Sequence, residues 1–131
     1  MSLAVDSSVW IDFLRGAETT QAQLLQKALV TEKIVLGDLV YLEVIRGVAD
    51  GSANKVRRQL EAYGLVSFGG EALAVAAARN YAFLRTKGVT VRKTIDMLIG
   101  TWCIVNRTPL LHSDRDFDPL EEHLGLQVWR G

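Results

Sequence analysis

Short apolar runs alternate with helical stretches along nearly the whole chain, and this alternation constrains the fold more than any other feature. Parallel strands need long crossover connections, which are usually helices. The pattern therefore predicts an α/β fold, a three-layer α/β/α sandwich with a mainly parallel sheet. Strands are predicted at residues 3–5, 34–36, 65–68, 110–112 and 126–129. With 131 residues and no linker or repeat, we expect one domain over residues 1–131.

Polar residues mark where the predicted helices begin. Side chains of this type accept hydrogen bonds from the first free amides of a helix. The longest predicted helix covers residues 71–87, with an alanine-rich middle that permits close packing. The candidate N-caps of the other helices are Ser7 or Ser8, Thr19 or Thr20, Asp38 and Thr94.

Composition excludes several classes of protein. Hydrophobic residues make up 49% and charged residues 23%, which is typical of a globular chain. The single cysteine, Cys103, excludes an internal disulfide framework and a cysteine-based zinc site, and its apolar surroundings predict inert core. No apolar stretch is long enough for a membrane span, so we expect a cytoplasmic protein without membrane association.

Net charge gives no general signature of nucleic-acid binding, because fifteen basic residues balance fifteen acidic ones. The distribution is uneven. Basic residues gather at 55–58 and 85–93, whereas acidic residues crowd 114–122. Solvated helix faces are the simpler interpretation of the basic groups, and an RNA-binding patch is the alternative.

Carboxylates from distant parts of the chain fall where predicted strands end or helices begin. Asp6 and Asp114 directly follow apolar strands, and Asp96 lies in the first turn of a predicted helix. Glu43 lies a little over one turn into another helix. Functional groups of open α/β sheets collect beyond the carboxyl ends of the strands. The four acids are therefore predicted to converge at one edge of the sheet.

Each acid alone has a structural explanation as a cap, a helix-dipole partner or a surface residue. Together they would repel, since two carboxylates about 4 Å apart cost roughly 4 kcal/mol at an effective dielectric near 20. A divalent cation removes that conflict. Oxygen ligands favour Mg²⁺ or Mn²⁺ over zinc. Such an ion activates water and stabilises charge on a phosphoryl oxygen, so phosphodiester hydrolysis fits.

Four sequence elements carry a resemblance to a known family. DSSVWIDFL, EVIRG, IDMLIG and LLHSDRDF occur in this order and resemble the motifs of PIN-domain ribonucleases. The short length and the opening resemble most closely the VapC-type toxins of bacterial toxin–antitoxin pairs. The resemblance spans nearly the whole chain and implies a metal-dependent endoribonuclease.

The resemblance also implies a role for each acid around Mg²⁺ or Mn²⁺. Asp6 and Asp96 are the direct ligands, and Glu43 orients the attacking water or binds a second ion. Asp114 binds through water or assists proton transfer, and Asp116 shares or takes over that role. The implied substrate is single-stranded RNA. The implied partners are a VapB-like antitoxin that fills the active-site groove and a second copy of the chain in a homodimer.

Neighbouring polar residues have both structural and functional interpretations. For Ser7 and Ser113 we favour helix capping over contacts to a metal water. For Arg46 we favour a salt bridge over a phosphate contact, and Arg115 is left open. His112 is expected to be a hydrogen-bonded residue at a strand end, outside the catalytic set.

Other functions are weaker matches. A haloacid-dehalogenase-like phosphatase using Asp6 as nucleophile needs a second aspartate at position 8, where this chain has Ser8. A receiver domain needs paired acids after the first strand. An RNA-processing PIN nuclease without an antitoxin and a non-catalytic metal-binding interaction module stay open as alternatives.

Overall fold

Eleven regular elements form the fold, and the computed structural model describes residues 1–131. Two short 3-10 turns, Asp50–Ser52 and Arg115–Phe117, join them. No helix is both long enough and apolar enough to cross a membrane. In chain order the elements are β1 Ser2–Val5, α1 Ser7–Leu14, α2 Thr20–Thr31, β2 Lys33–Gly37, α3 Asp38–Gly47, α4 Ala53–Glu61, β3 Leu65–Val66, α5 Glu71–Thr86, α6 Thr94–Val105, β4 Leu110–Leu111 and α7 Asp118–Leu124.

The sheet is entirely parallel, with strand order β3-β2-β1-β4. The crossovers from β1 to β2 and from β2 to β3 run in one direction across the sheet, and the return from β3 to β4 runs in the other. Parallel crossovers are right-handed as a rule, so the two directions place their helices on opposite faces. Helices therefore cover both faces, with α1 packed on α2 and α3, and α5 packed on α6. The predicted α/β/α sandwich is confirmed.

Buried aromatic and aliphatic side chains fill the space between the layers. Trp10, Phe68 and Phe117 are at most 2% exposed, and burial of each such side chain contributes about 1.5–3 kcal/mol. Cys103 is buried as expected, and burial raises the pKa of its thiol to about 12. Helices α6 and α7 approach closely at Gly100, where a Cβ would overlap the Leu120 side chain.

Three predicted strands are shorter than the sequence indicated, and the one at 110–112 ends one residue early, at Leu111. The strand predicted at 126–129 is a single parallel bridge from Val128 to Leu110, because β4 is only two residues long and offers few backbone partners. The strand predicted at 65–68 ends at Val66, because Phe68 turns into the core and its amide donates to Asp38.

One of the predicted N-caps is confirmed. Thr19 accepts a hydrogen bond from the Ala22 amide at 3.0 Å and caps α2. The cap predictions at Ser7 or Ser8, Asp38 and Thr94 were wrong, since the N-cap positions are Asp6, Gly37 and Lys93. In the first case the serine hydroxyls donate to carboxylates instead, Ser7 to Glu43 and Ser8 to Asp6.

Candidate metal centre

Adjacent parallel strands bring two distant acids to the same edge of the sheet. Asp6 follows β1, and its amide donates to the Leu111 carbonyl of β4 at 2.9 Å. Asp114 follows β4 three residues later. Connections leave β1 and β4 in opposite directions, so a crevice opens between the ends of these strands. Asp6 and Asp114 lie at this crevice.

Two further acids reach the crevice from helices. Asp96 lies in the first turn of α6 and is only 4% exposed. Glu43, on α3, is half-buried and accepts a hydrogen bond from the Ser7 hydroxyl at 3.0 Å. Because Ser7 is the first residue of α1, this bond holds Glu43 next to the segment that carries Asp6.

Asp114 and Asp116 form a small turn at the outer edge of the crevice. One carboxylate oxygen of Asp114 accepts from the Asp116 amide at 2.9 Å. The other accepts from Lys93 Nζ at 3.2 Å. Both acids are half-buried. Asp96, Asp114 and Asp116 each place a carboxylate oxygen within 4.8 Å of the other two.

The pKa values of the acids at this site are shifted in opposite directions. Burial, then the charge of Asp6, raises the pKa of Asp96 to about 7, although Lys93 opposes the shift. Burial also raises the pKa of Asp6, against a hydrogen bond from Ser8. Partial burial raises the pKa of Asp114 as well, but its bonds from the Asp116 amide and from Lys93 outweigh this and leave that pKa below the ordinary value. We call Asp6 and Asp96 the inner acids, and Asp114 and Asp116 the outer acids.

The donor set fits a hard divalent cation. Asp6 Oδ1 and Asp96 Oδ2 are buried carboxylate oxygens without any hydrogen-bond partner. An unsatisfied buried carboxylate is costly, and a bound cation supplies the missing interaction. The donors are all carboxylate oxygens, which Mg²⁺ and Mn²⁺ accept. Residues Asp6, Asp96, Asp114 and Asp116 are therefore suited to hold such an ion, with Glu43 beside them.

The family model of the PIN domain matches residues 3–122 of this chain. The chain belongs to the PIN-domain family. The match covers all the acids of the crevice and agrees with the resemblance carried by the four sequence motifs. PIN domains are nucleases, so the PIN domain described here belongs to a family of hydrolases.

A solved structure has the same fold. The PIN domain superposes on a chain from the crystal structure of VapBC2 from Rickettsia felis bound to a DNA fragment from their promoter, with a TM-score of 0.71. The alignment covers 98% of each chain at 13% sequence identity. At this identity the similarity establishes the fold alone.

The polar neighbours of the acids differ in part from the sequence predictions. Neither Ser7 nor Ser113 caps a helix: Ser7 donates to Glu43, and the Ser113 hydroxyl lies 3.2 Å from that of Ser8. Arg46 and Arg115 are exposed and form no salt bridge. The salt bridge predicted for Arg46 is thus wrong, because the nearest acid on its own helix, Glu43, is engaged by Ser7.

Two residues of the site, Ser8 and Lys93, were not identified from the sequence, and His112 was given only a structural role. Ser8 donates to Asp6 Oδ2 at 2.8 Å, and its position two residues after an acid was the only available signal. His112 Nδ1 accepts from the Asp114 amide at 3.1 Å, which confirms its predicted structural role but adds a direct link to the site. The sequence shows Lys93 only as part of a basic stretch, since nothing in it pairs this residue with Asp114.

Proposed function

We propose that this PIN domain is an Mg²⁺- or Mn²⁺-dependent endoribonuclease that acts as the toxin of a toxin–antitoxin pair. The observation that carries the proposal is the acid crevice. Three carboxylates lie within 4.8 Å of one another, and two buried carboxylate oxygens lack partners. Carboxylates only 4.8 Å apart repel by roughly 3 kcal/mol per pair at an effective dielectric near 20, so the arrangement favours cation binding.

The residues of the crevice would have different roles in hydrolysis. When bound, a divalent ion would supply an activated water and neutralise charge on the phosphoryl oxygen. Asp6 and Asp96 offer the unpartnered oxygens that hold the ion, and Ser8 fixes the Asp6 carboxylate through its second oxygen. Glu43, held by Ser7, orients the attacking water. The outer acids would complete the ion's surroundings, and a carboxylate oxygen of Asp114 or Asp116 would accept the proton that the attacking water gives up.

A groove next to the outer acids suits a single strand of RNA. It has a volume of about 510 Å³ and includes His112, Ser113, Arg115 and Trp129 in its lining. Aromatic rings stack on unpaired bases, and arginine binds phosphate, without requiring a particular sequence. Because the groove shares Asp114 with the acid crevice, a strand lying in it would pass the outer edge of the crevice.

The toxin assignment draws on the family and on the solved structure. The Rickettsia felis chain with the same fold was solved as VapBC2 on promoter DNA. We infer a VapB-like antitoxin as the protein partner of this chain, and a homodimer as its assembly. An RNA-processing PIN nuclease would share the site but would have no antitoxin.

Cleavage of a mixed RNA pool by purified protein tests the nuclease. The reaction is run with Mg²⁺, with Mn²⁺ and with chelator, for the wild type, Asp6→Asn and Asp96→Asn. Asp50→Asn is the matched control, because Asp50 is an exposed aspartate outside the crevice. The proposal predicts metal-dependent cleavage by the wild type and the control, and none by the two crevice variants. Absence of cleavage by folded wild-type protein in either metal would favour the non-catalytic binding module.

Toxicity is tested separately in cells. Induction of the wild-type gene should arrest growth, and Asp96→Asn should not. Co-expression of a small adjacent gene that encodes the antitoxin should restore growth. Cleavage in vitro without growth arrest would support the RNA-processing nuclease over the toxin.

A further inference from the structure

Lys93 is the one basic side chain bonded to the acid crevice. Its ammonium lies 3.2 Å from Asp114 Oδ2, and its side chain is 60% exposed, whereas that of Asp114 is 24% exposed. It occupies the N-cap position of α6, three residues before Asp96. The lysine therefore belongs to the same helix terminus as an inner acid but bonds an outer acid.

We propose that Lys93 is a phosphate-binding residue of the nuclease site, which pairs with Asp114 in the metal-free protein and turns to the RNA backbone when a divalent ion and its bound water engage that carboxylate. This inference rests on the proposed function and deepens it. It assigns the contact that lets an acidic site accept an anionic substrate.

The pairing with Asp114 is weak enough to be exchanged. Exposed lysine–carboxylate pairs contribute little, because water screens them and ordering two flexible side chains costs entropy. A divalent ion among the acids, through a water that it binds, competes with Lys93 for Asp114 Oδ2. The flexible four-carbon stem of lysine then carries the ammonium to another acceptor while the backbone remains fixed at the start of α6.

The substrate needs such a cation at this position. RNA approaching the crevice meets the negative charges of the inner and outer acids, and the chain as a whole is neutral, with fifteen basic and fifteen acidic residues. Only a local positive charge can offset this repulsion. The phosphate under attack must lie at the metal, and Lys93 Nζ already touches one of the acids that surround it.

The experiment compares Lys93→Gln, Lys93→Arg and the matched control Arg92→Gln. Arg92 is the exposed neighbour in the chain and bonds none of the acids, so its substitution removes the same charge without the contact. Mn²⁺ affinity is measured by calorimetric titration. Initial cleavage rates of the RNA pool at limiting RNA concentration are measured over a series of salt concentrations.

The proposal predicts a distinct pattern for Lys93→Gln. Mn²⁺ should bind about threefold more tightly, since the competing ammonium is gone. The cleavage rate should fall about tenfold, and the slope of log rate against log salt should become shallower by about 0.7, the value for one lost phosphate contact on single-stranded RNA. Lys93→Arg should restore the slope. Arg92→Gln should leave Mn²⁺ affinity unchanged.

Three results would overturn the proposal: unchanged Mn²⁺ affinity of Lys93→Gln, an unchanged salt slope, or an equal change in both quantities for Arg92→Gln. If the wild type cleaves no RNA, the proposed function fails on its own. The salt slope is then taken from binding of a fluorescein-labelled oligouridylate in Mn²⁺, and with the Mn²⁺ titration it decides the role of Lys93 by the same criteria.

Discussion

The inner and outer acids lie in one crevice but differ in their hydrogen bonding and burial. Asp6 and Asp96 are at most 4% exposed, and each has a carboxylate oxygen without a partner. Asp114, on the outer side, is partly exposed and accepts bonds on both oxygens. Burial raises the pKa of the inner acids, whereas hydrogen bonds lower that of Asp114. The carboxylate oxygens that lack hydrogen-bond partners thus belong to the inner acids, and we place the metal ligands there.

The largest expected effect is a difference in RNA cleavage rate between variants of the inner and of the outer acids. Asp96→Asn should lower the RNA cleavage rate on the order of a thousandfold, because loss of a direct metal ligand removes several kcal/mol of stabilisation. Asp114→Asn should lower it only about tenfold, as for a residue that acts through water. The rates are measured in Mg²⁺ with Asp50→Asn as control. Equal losses for Asp96 and Asp114 would remove the functional distinction between the two sides.

Metal binding should stabilise the fold, mainly through the inner acids. Free Mn²⁺ at about a hundred times its Kd stabilises a protein by about 2.7 kcal/mol. We expect the gain in unfolding free energy for the wild type above pH 7. It should shrink below pH 7 as Asp96, whose pKa is about 7, takes up a proton. Urea unfolding with and without Mn²⁺ measures the gain in unfolding free energy at pH 8 and at pH 6. A larger gain at pH 6 than at pH 8 would contradict a metal site that depends on the ionised Asp96.

Removing charge should have opposite effects on the metal-free fold at the two sides. Asp96 has a raised pKa, so its favourable contribution to stability is present below its unfolded pKa and is lost as pH rises through about 7. Asp96→Asn should therefore stabilise the chelated protein at pH 8 by about 2 kcal/mol. Asp114 has a lowered pKa, and its contribution is present above its unfolded pKa and lost as pH falls through the folded one.

For that reason Asp114→Asn should destabilise the chelated protein at pH 8, by less than about 1 kcal/mol because the Lys93 pair is exposed. Chemical denaturation in chelator at pH 8 compares the two variants. Changes of the same sign would show that burial does not distinguish the inner from the outer acids.

The smallest expected effect concerns the hydrogen bond from the Asp114 amide to His112, which holds an outer acid in place. His112 Nδ1 accepts the Asp114 amide, so His112→Leu should leave that amide without its partner and cost about 1 kcal/mol. His112→Asn, which keeps an acceptor, should recover part of this loss of stability, as measured by urea unfolding. Equal losses for Leu and Asn would assign His112 to packing against Phe117, whose ring lies 4.9 Å away.

The sequence was sufficient to predict those parts of the site that depend on strand direction. Asp6 and Asp114 follow apolar runs, and parallel strands bring their carboxyl ends to one edge whatever the details of the loops. The helix carrying Asp96 could be predicted from the helical spacing of its apolar residues. The sheet and its helical layers followed from the same alternation.

Long-range side-chain bonds could not be predicted in this way. Lys93 and Asp114 lie 21 residues apart. Each lies just before a helical segment, where the sequence has no hydrophobic period from which their contact could be predicted. Ser7 was predicted to bond a nearby amide, but it bonds Glu43, which is 36 residues away. The strand predicted at 126–129 failed for a related reason, since its length depends on how many residues β4 offers for pairing.

The most direct test of the central claim is a crystal structure of the wild-type protein in Mn²⁺ at pH 8, with anomalous diffraction used to locate the ion. We predict an anomalous peak in the crevice, about 2.0–2.2 Å from an oxygen of Asp96, with Asp6 among its remaining neighbours. The same peak should be absent from Asp96→Asn crystals. Full Mn²⁺ occupancy on the outer acids alone, or no peak in the crevice, would contradict the account.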